Sequence, residues 1–270
     1  MKIKSKVLII AGSDSSGGAG IQADIKTVTA LGSYAMTALT AVTCQNTKGV
    51  QAISAIPIKY LDKQIKMVLD DIGTNAIKIG MLHNNRVIKC VYKILKNRKI
   101  KNIILDPVMI AKGGSRLVNK NSVTYLKKLL LPLCSVITPN IPEAEVLTGY
   151  SISNKEDMIK AGKKINSMGA KYVLLKGGHL KNKMVFDILI SKNNISVFSK
   201  RKINTKNTHG TGCTLSSAIA ACLSQKISIN KSCKIALKYV DLAIRTAPGY
   251  GKGFGPLNHL VSFNLRNIDA

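Results

Sequence analysis

The 270-residue chain contains no tryptophan, and Tyr and Phe together bring its aromatic content to only 4%. It also has few acidic residues, with 13 Asp and Glu against 41 Lys and Arg. No apolar run approaches the roughly 18 residues that a membrane span needs, and the N-terminal apolar segment is shorter than the ~7 residues of a secretory signal. We therefore expect a soluble, cytoplasmic protein with no membrane partner.

Paired cysteines are also missing. No C-x-x-C pair joins any two of the six cysteines, so the sequence indicates neither a disulfide framework nor a zinc site. They are Cys44, Cys90, Cys134, Cys213, Cys222 and Cys233. The four histidines lack metal-binding spacing, and for His179 and His209, which lie beside glycines, we expect hydrogen-bonding or packing roles rather than catalysis.

The net charge of +28 raises the possibility of a nucleic-acid-binding protein. Only six of the 41 basic residues are arginine, however, and the lysines are spread along the whole chain rather than gathered in one stripe. Aromatic residues do not interleave with them, as they usually do where bases stack. We expect no nucleic-acid partner and keep that function as an alternative of another class.

Short β-branched runs alternate with amphipathic stretches of ten to fifteen residues, which is typical of βαβ units around a parallel sheet. We predict strands over 6–12, 76–81, 102–108, 135–139 and 171–178. We predict helices over 21–32, 60–73, 85–97, 153–169, 213–224 and 230–247. The runs 184–190 and 195–200 lie too close together for a helix between them and predict an antiparallel hairpin at the sheet edge. With no linker or repeat, we expect a single domain over residues 1–270.

Loops that follow the strands of a parallel sheet form its ligand crevice, and four of them carry polar residues. The first, AGSDSSGGAG over 11–20, brings backbone amides close to a ligand but lacks the G-K-[ST] of a phosphate-binding loop, and its glycines fit an ordinary turn equally well. Gln45 offers a donor and an acceptor to a nitrogen heterocycle. Asp106, Asn140 and Glu143 are hard oxygen ligands suited to Mg²⁺, although Asp106 also fits a cap of the following segment and Glu143 an ordinary acid in the first turn of a helix.

The stretch NTHGTGC predicts an anion-binding helix start. Gly210, Thr211 and Gly212 would leave backbone amides unpaired at the positive end of a helix, where a migrating phosphoryl group can be stabilised. Cys213 lies in the same turn, and a thiol at a helix N-terminus has a lowered pKa that suits a general base. A buried structural cysteine is the alternative interpretation.

Seven motifs in order resemble one known family and cover nearly the whole chain. They are AGSDSSGGAGIQAD, CQNTKGV, KIGML, LDPVM, TPNIPEAEVL, LLKGGH and KNTHGTGCTLSSAIAA. The chain thus resembles hydroxymethylpyrimidine/phosphomethylpyrimidine kinases of thiamine biosynthesis, in the ribokinase-like superfamily. The resemblance implies a three-layer αβα sandwich with a mostly parallel sheet. It also implies that ATP, with Mg²⁺, phosphorylates 4-amino-5-hydroxymethyl-2-methylpyrimidine and then its monophosphate.

The resemblance also implies roles for individual residues. The pyrimidine would be bound by Gln45, Gly12, Asp24, Met81 and Val108. Phosphate groups of ATP would be bound by Asp106, Asn140, Lys176 and Thr208, with Asp106 and Glu143 holding Mg²⁺. Catalysis would fall to Lys176 and to the turn Gly210, Thr211, Gly212 and Cys213.

One feature departs from the wider superfamily, whose corresponding motif usually places an aspartate base where this chain has Cys213. The pyrimidine kinases resemble this chain in having cysteine there. The glycine-rich loop 111–116 fits a mobile lid and a plain surface turn equally well. A pyridoxal kinase of the same superfamily is the alternative enzyme, and resemblance together with an exposed sheet edge favours a homodimer.

Overall fold

The computed structural model describes residues 3–109 and 120–261. Its centre is an eight-stranded sheet in the order β10-β9-β8-β7-β6-β5-β1-β2. The parallel strands are β1 (Lys6–Ala11), β2 (Tyr34–Leu39), β5 (Ala76–Ile79), β6 (Ile103–Leu105), β7 (Val136–Ile137) and β8 (Tyr172–Leu175). At one edge β9 (Met184–Ile190) pairs antiparallel with β8, and β10 (Ile195–Arg201) pairs antiparallel with β9.

Helices cover both faces of this sheet. On one face lie α1 (Gly20–Ala30), α7 (Thr211–Ser224) and α8 (Ile229–Arg245). The other face carries α2 (Ile58–Met67), α3 (Asn85–Leu95), α4 (Lys120–Tyr125), α5 (Ile141–Thr148) and α6 (Lys155–Ser167). Beyond their last regular turns α2 continues through the wider turn Val68–Ile72, and α4 through Leu126–Leu130 and a tighter turn at Leu131–Leu133. The αβα sandwich is therefore confirmed.

Alternation of side chains along each buried strand creates two separate apolar layers. In β1, Leu8 and Ile10 join the core beneath α2–α6, whereas Val7 and Ile9 join the core beneath α1, α7 and α8. A strand buried on both faces reads as a continuous apolar run, which is why β1 was recognisable. The same alternation places Lys78 of β5, between Ile77 and Ile79 of the first core, on the α1 and α7 side.

A second, two-stranded antiparallel sheet stands apart from the main one. It consists of β3 (Ala41–Asn46) and β4 (Gly49–Ala55), which follow β2 directly. Hydrogen bonds join it to the loop after β1, since Ser13 donates to the Ala41 carbonyl oxygen at 2.9 Å. The hairpin therefore projects over the carboxyl end of β1, where a ligand crevice is expected.

All the strands predicted from the sequence are present, and the edge hairpin is confirmed. The prediction omitted β2, β4 and α4; it gave no bounds for β3, of which it named only the end near Gln45, or for α5, of which it named only the start near Glu143. It read 60–73 as one helix, whereas the regular helix ends at Met67. The expected lid at 111–116 lies outside the described residues. Within the described part of the chain, no helix is long and apolar enough to cross a membrane.

Candidate active site

The turn before α7 packs tightly against the loop that follows β1. Gly210 caps α7 with φ 84°, a left-handed conformation that favours glycine. A Cβ on Gly210 would collide with the carbonyl oxygen of Gly18, so both the backbone angle and the close approach require glycine there. The glycines on each side thus bring the starts of α1 and α7 together at one end of the sheet.

Three predicted residues from distant parts of the chain meet at this point. Lys176 Nζ lies 3.2 Å from Asp106 Oδ1, and this carboxylate also accepts a hydrogen bond from Thr138 Oγ1 at 3.1 Å. A Cβ on Gly212 would lie 3.3 Å from Lys176 Nζ and 3.4 Å from Asp106 Oδ2. The first turn of α7 therefore faces a buried carboxylate and an ammonium across a narrow gap.

The amides of this turn are not equivalent. Thr211 donates its backbone N–H to the Thr208 carbonyl oxygen at 3.4 Å, and its hydroxyl donates to the same oxygen at 3.1 Å. Thr208 thus closes the turn through its carbonyl group. Gly212 and Cys213 lie in the first turn, where helix geometry supplies no intrahelical acceptor for their amides. The backbone amides of Gly212 and Cys213, rather than that of Thr211, are therefore suited to donate hydrogen bonds to an anionic ligand.

Asn140 and Glu143 form the N-terminal cap of α5. The Asn140 side chain accepts from the Glu143 amide at 2.9 Å, and Glu143 Oε2 accepts from the Asn140 amide at 2.9 Å. Burial raises the pKa of Glu143 to about 7, with Lys176 opposing this rise and Asp106 adding to it. Glu143 is therefore electrostatically coupled to the Asp106 and Lys176 pair while also serving as a helix cap.

The expectation of a lowered pKa for Cys213 is wrong for this structure. Removal from water raises the pKa of its thiol to about 12; Lys78 opposes this, whereas the carboxylates of Asp24 and Asp106 reinforce it. An amide hydrogen bond from Gly20 favours the thiolate but does not reverse the balance. Cys213 therefore carries its proton near neutral pH.

The expectation that Asp24 binds the pyrimidine is also wrong. Asp24 has no exposed surface, and both of its carboxylate oxygens are engaged. Oδ2 lies 2.7 Å from Lys78 Nζ, and Oδ1 accepts from Ser217 Oγ at 2.7 Å. Although burial opposes the charge of Lys78, Asp24 raises the pKa of that ammonium. This ion pair supports the site from beneath and does not reach a ligand.

The remaining predicted pyrimidine residues surround a small apolar cluster beneath the β3–β4 hairpin. Ala41 and Met81 are buried there, with Ile53 and Val108 packed against them. Met81 also lies directly against Gly12, where a Cβ would collide with its terminal methyl group. Gln45 follows Ala41 by four residues in β3, and its side-chain amide contacts Thr43 Oγ1 at 3.1 Å and His209 Nε2 at 3.4 Å. An apolar floor beside one amide suits a flat heterocycle.

Asp14 lies beside the predicted site residues although no role was predicted for it, and His209 has the hydrogen-bonding role that was expected. His209 Nε2 lies 2.7 Å from Asp14 Oδ2 and 3.4 Å from Gln45 Nε2. Burial opposes ionisation of Asp14, but hydrogen bonds from His209 and Ser16 lower its pKa to about 2. The only available signal was the position of both residues within glycine-rich loops, which does not reveal that those loops meet.

The glycine-rich segment near the C-terminus, to which the sequence assigned no chemistry, ties these parts together. Phe254 donates its amide to the Thr47 carbonyl oxygen at 2.9 Å, in the turn of the β3–β4 hairpin. The amide of His209 donates to the Gly255 carbonyl oxygen at 3.0 Å. The segment thus holds the hairpin turn and the loop before α7 in a fixed relation.

The site offers few side chains that could hold a metal ion. Among residues 3–109 and 120–261, no group of three or more His, Cys, Asp or Glu side chains is arranged to hold an ion. Two buried carboxylates, Asp106 and Glu143, remain, and the charge of Asp106 helps to raise the pKa of Glu143. Mg²⁺ usually takes only one or two protein carboxylates and completes its shell with water and substrate phosphates, so this donor set fits Mg²⁺.

Solved structures share this architecture and place the site within a known class. A pyridoxal kinase of Bacillus subtilis in complex with ADP superimposes with a TM-score of 0.89 at 37% identity, covering 95% of this chain and 97% of that one. A phosphomethylpyrimidine kinase of Clostridium difficile gives a TM-score of 0.80 at 44% identity, covering 89% of this chain and all of that one. Fold and site together define an ATP-dependent phosphotransferase of the ribokinase-like class.

The family model described as phosphomethylpyrimidine kinase matches residues 14–258. The chain belongs to the phosphomethylpyrimidine kinase family. A hydroxymethylpyrimidine/phosphomethylpyrimidine kinase of Bacillus subtilis is 44% identical over 257 residues, 95% of each chain. A thiamine biosynthesis bifunctional protein of Geobacter sulfurreducens is 45% identical over 96% of this chain, which spans only 53% of that longer protein.

Proposed function

We propose that this kinase acts in thiamine biosynthesis, transferring the γ-phosphoryl group of ATP to 4-amino-5-hydroxymethyl-2-methylpyrimidine and then to the resulting monophosphate. The observation that carries the proposal is the meeting of Gly212, Lys176 and Asp106 at the start of α7, with Gln45 3.4 Å from His209, the residue that precedes this turn. The high identity to named pyrimidine kinases supports this substrate.

Catalysis depends mainly on positive charge that the folded protein positions before the substrates react. During transfer, negative charge spreads over the equatorial oxygens of the phosphoryl group. The amides of Gly212 and Cys213 point toward that region, and the helix adds partial positive charge there. Lys176, kept cationic by Asp106 and Glu143, supplies a full positive charge beside the first turn of α7. Gly210 and Thr211 hold the turn in shape.

The nucleotide phosphates lie against the same surface. Asp106 and Glu143 would hold Mg²⁺, which supplies charge neutralisation and orientation of the phosphate oxygens when bound. Asn140 keeps Glu143 in place through the helix cap. Thr208 closes the turn on the nucleotide side through its carbonyl group.

Cys213 acts as a base for the alcohol step alone. Its thiol is protonated in the free protein. It would first release that proton to water, which the positive charge of Lys78 favours, and the thiolate would then take the alcohol proton as the alcohol oxygen attacks the γ-phosphorus, leaving a neutral thiol and ADP. The monophosphate already carries an anionic nucleophile, and that step needs little base catalysis. Gly12, Met81 and Val108 contact the apolar surface of the pyrimidine ring in both steps.

A coupled assay of ADP release with three substrates tests the function. The pyrimidine alcohol and its monophosphate should both be phosphorylated with a higher kcat/KM than pyridoxal. Preference for pyridoxal would favour the alternative enzyme, for which the 0.89 TM-score to a pyridoxal kinase is the supporting observation. Salt-sensitive retention on DNA with no kinase activity would instead favour a nucleic-acid-binding protein.

The Cys213→Ala variant tests the base. We expect kcat to fall at least tenfold with the alcohol and less than threefold with the monophosphate, because only the alcohol must lose a proton. Cys213→Ser is the matched control for the volume of the side chain. Equal losses on both substrates would show that Cys213 contributes through packing rather than proton transfer.

A further inference from the structure

Lys176 lies at the point where strands β8 and β9 separate. The two strands pair Leu174 with Leu189, and both of these side chains pack in the core beneath α1, α7 and α8. Two residues further along each strand, one step past the last pair, the same register would place Lys176 opposite Asp187. Because side chains alternate along a strand, Lys176 and Asp187 are directed to the face of the sheet that carries α7.

The Asp187 side chain supplies a hydrogen bond where the pairing of the two strands ends. The Gly177 amide donates to Asp187 Oδ1 at 3.0 Å rather than to a carbonyl group. Gly177 is buried and Asp187 is only 6% exposed, so without this carboxylate the amide would be buried with no acceptor. A Cβ on Gly177 would also collide with the Phe186 carbonyl oxygen. Strand β9 therefore fixes the position of the chain directly after Lys176.

The backbone of Lys176 is also fixed on its other side. Its amide donates to the Pro139 carbonyl oxygen at 2.9 Å, in the segment between β7 and α5. Hydrogen bonds to two different neighbours thus hold the peptide groups before and after the Lys176 Cα. From this point the side chain extends to Asp106, where Nζ lies 3.2 Å from Oδ1.

We propose that Asp187 is a positioning residue: by accepting the hydrogen bond of the Gly177 amide, it fixes the backbone from which Lys176 reaches the first turn of α7. The inference rests on the role of Lys176 in the proposed function. A lysine carries a compact charge on a flexible stem, so its effect on a migrating phosphoryl group depends on where its backbone is held. Asp187 acts on the reaction only through Lys176.

The acceptor atom of Asp187 matters here more than its charge. Burial raises the pKa of Asp187, and the Gly177 amide, Lys200 and Lys176 oppose this rise. A carboxyl group keeps an acceptor oxygen for the amide whether it is ionised or protonated. Asparagine offers the same acceptor in nearly the same volume without the charge. Asp187→Asn is therefore the matched control for Asp187→Leu, which removes the acceptor.

The test is a double-mutant cycle between Asp187 and Lys176. Asp187→Leu should lower kcat/KM for ATP about tenfold, the factor that one net hydrogen bond supplies, whereas Asp187→Asn should keep at least about a third of the wild-type value. The Kd for the pyrimidine alcohol, measured by calorimetry, should not change. In a Lys176→Met background, Asp187→Leu should lower kcat/KM less than about twofold, because no ammonium is left to misplace.

The same cycle can be measured as binding, which needs no turnover. Asp187→Leu should raise the Kd for a non-hydrolysable ATP analogue at least about threefold when Lys176 is present, and should not raise it in the Lys176→Met background. Should Asp187→Leu fail to fold, Gly177→Ala takes its place, since the added methyl group forces the chain away from β9. Gly178→Ala, where a methyl group meets open space, is the control for that variant.

Equal losses from Asp187→Leu with and without Lys176 would overturn the inference, and so would an Asp187→Asn protein as impaired as Asp187→Leu. A wild-type protein that does not phosphorylate the pyrimidine alcohol would refute the proposed function, while the binding cycle would still decide the positioning role. A Lys176→Met protein that binds and turns over ATP like the wild type would refute the role of Lys176 and the inference with it.

Discussion

The buried ion pair beneath the site offers the sharpest test of how this fold is stabilised. Lys78 and Asp24 have no exposed surface, and Lys78 Nζ lies 2.7 Å from Asp24 Oδ2. Lys78 comes from the central strand β5 and Asp24 from α1, while Ser217 of α7 donates to the second carboxylate oxygen. Changing Lys78→Met keeps much of the side-chain volume but leaves the carboxylate without its cation.

Removing one member of such a pair costs about 3–5 kcal/mol, because a charge stays buried without a partner. For 270 residues, an unfolding entropy of about 2.1 cal/mol/K per residue gives about 570 cal/mol/K in total. A loss of about 4 kcal/mol then lowers Tm by about 7 °C. Thermal unfolding followed by circular dichroism measures this directly.

The matched control is the double variant Lys78→Met with Asp24→Asn, which removes both charges and keeps an acceptor for Ser217. We expect the double variant to regain at least about 2 kcal/mol relative to Lys78→Met, since neighbouring members of one network are not additive. A Lys78→Met protein that loses less than about 1 kcal/mol, or a double variant less stable than both single ones, would refute this account of the ion pair.

Three further predictions concern catalysis, pH and assembly. Gly212→Ala places a methyl group 3.3 Å from Lys176 Nζ and should lower kcat about tenfold with little change in Tm, whereas Gly178→Ala, where a methyl group meets open space, should leave kcat unchanged. Burial lowers the pKa of His259 to about 4, so the unfolded chain binds its proton first as the pH falls. Stability should therefore decline between about pH 6.5 and 4, by up to about 3 kcal/mol, and less in His259→Gln, as urea titrations would show. The homodimer remains a prediction; light scattering that gives the mass of one 29.1 kDa chain at micromolar concentration would exclude it.

The order of structural elements and most of the chemistry were available from the sequence alone. Continuous apolar strands and amphipathic helices have different periods, and both periods are local properties of the chain. The glycines of NTHGTGC predicted an anion-binding turn for the same reason, since backbone freedom and helix termini are local too. Those signals located Asp106 and Gly212 before their meeting was visible, and the family resemblance added Lys176.

Burial and long-range partners were decided only by the tertiary structure. Asp24 resembled a ligand-binding acid in the sequence, but β5 places Lys78 against it and thereby converts it into half of a buried ion pair. Cys213 has the helix N-terminus that lowers a thiol pKa, yet exclusion of water and two nearby carboxylates raise it instead. Each outcome depends on how many neighbours a side chain acquires from distant segments, and desolvation by those neighbours outweighs the local field that the sequence makes visible.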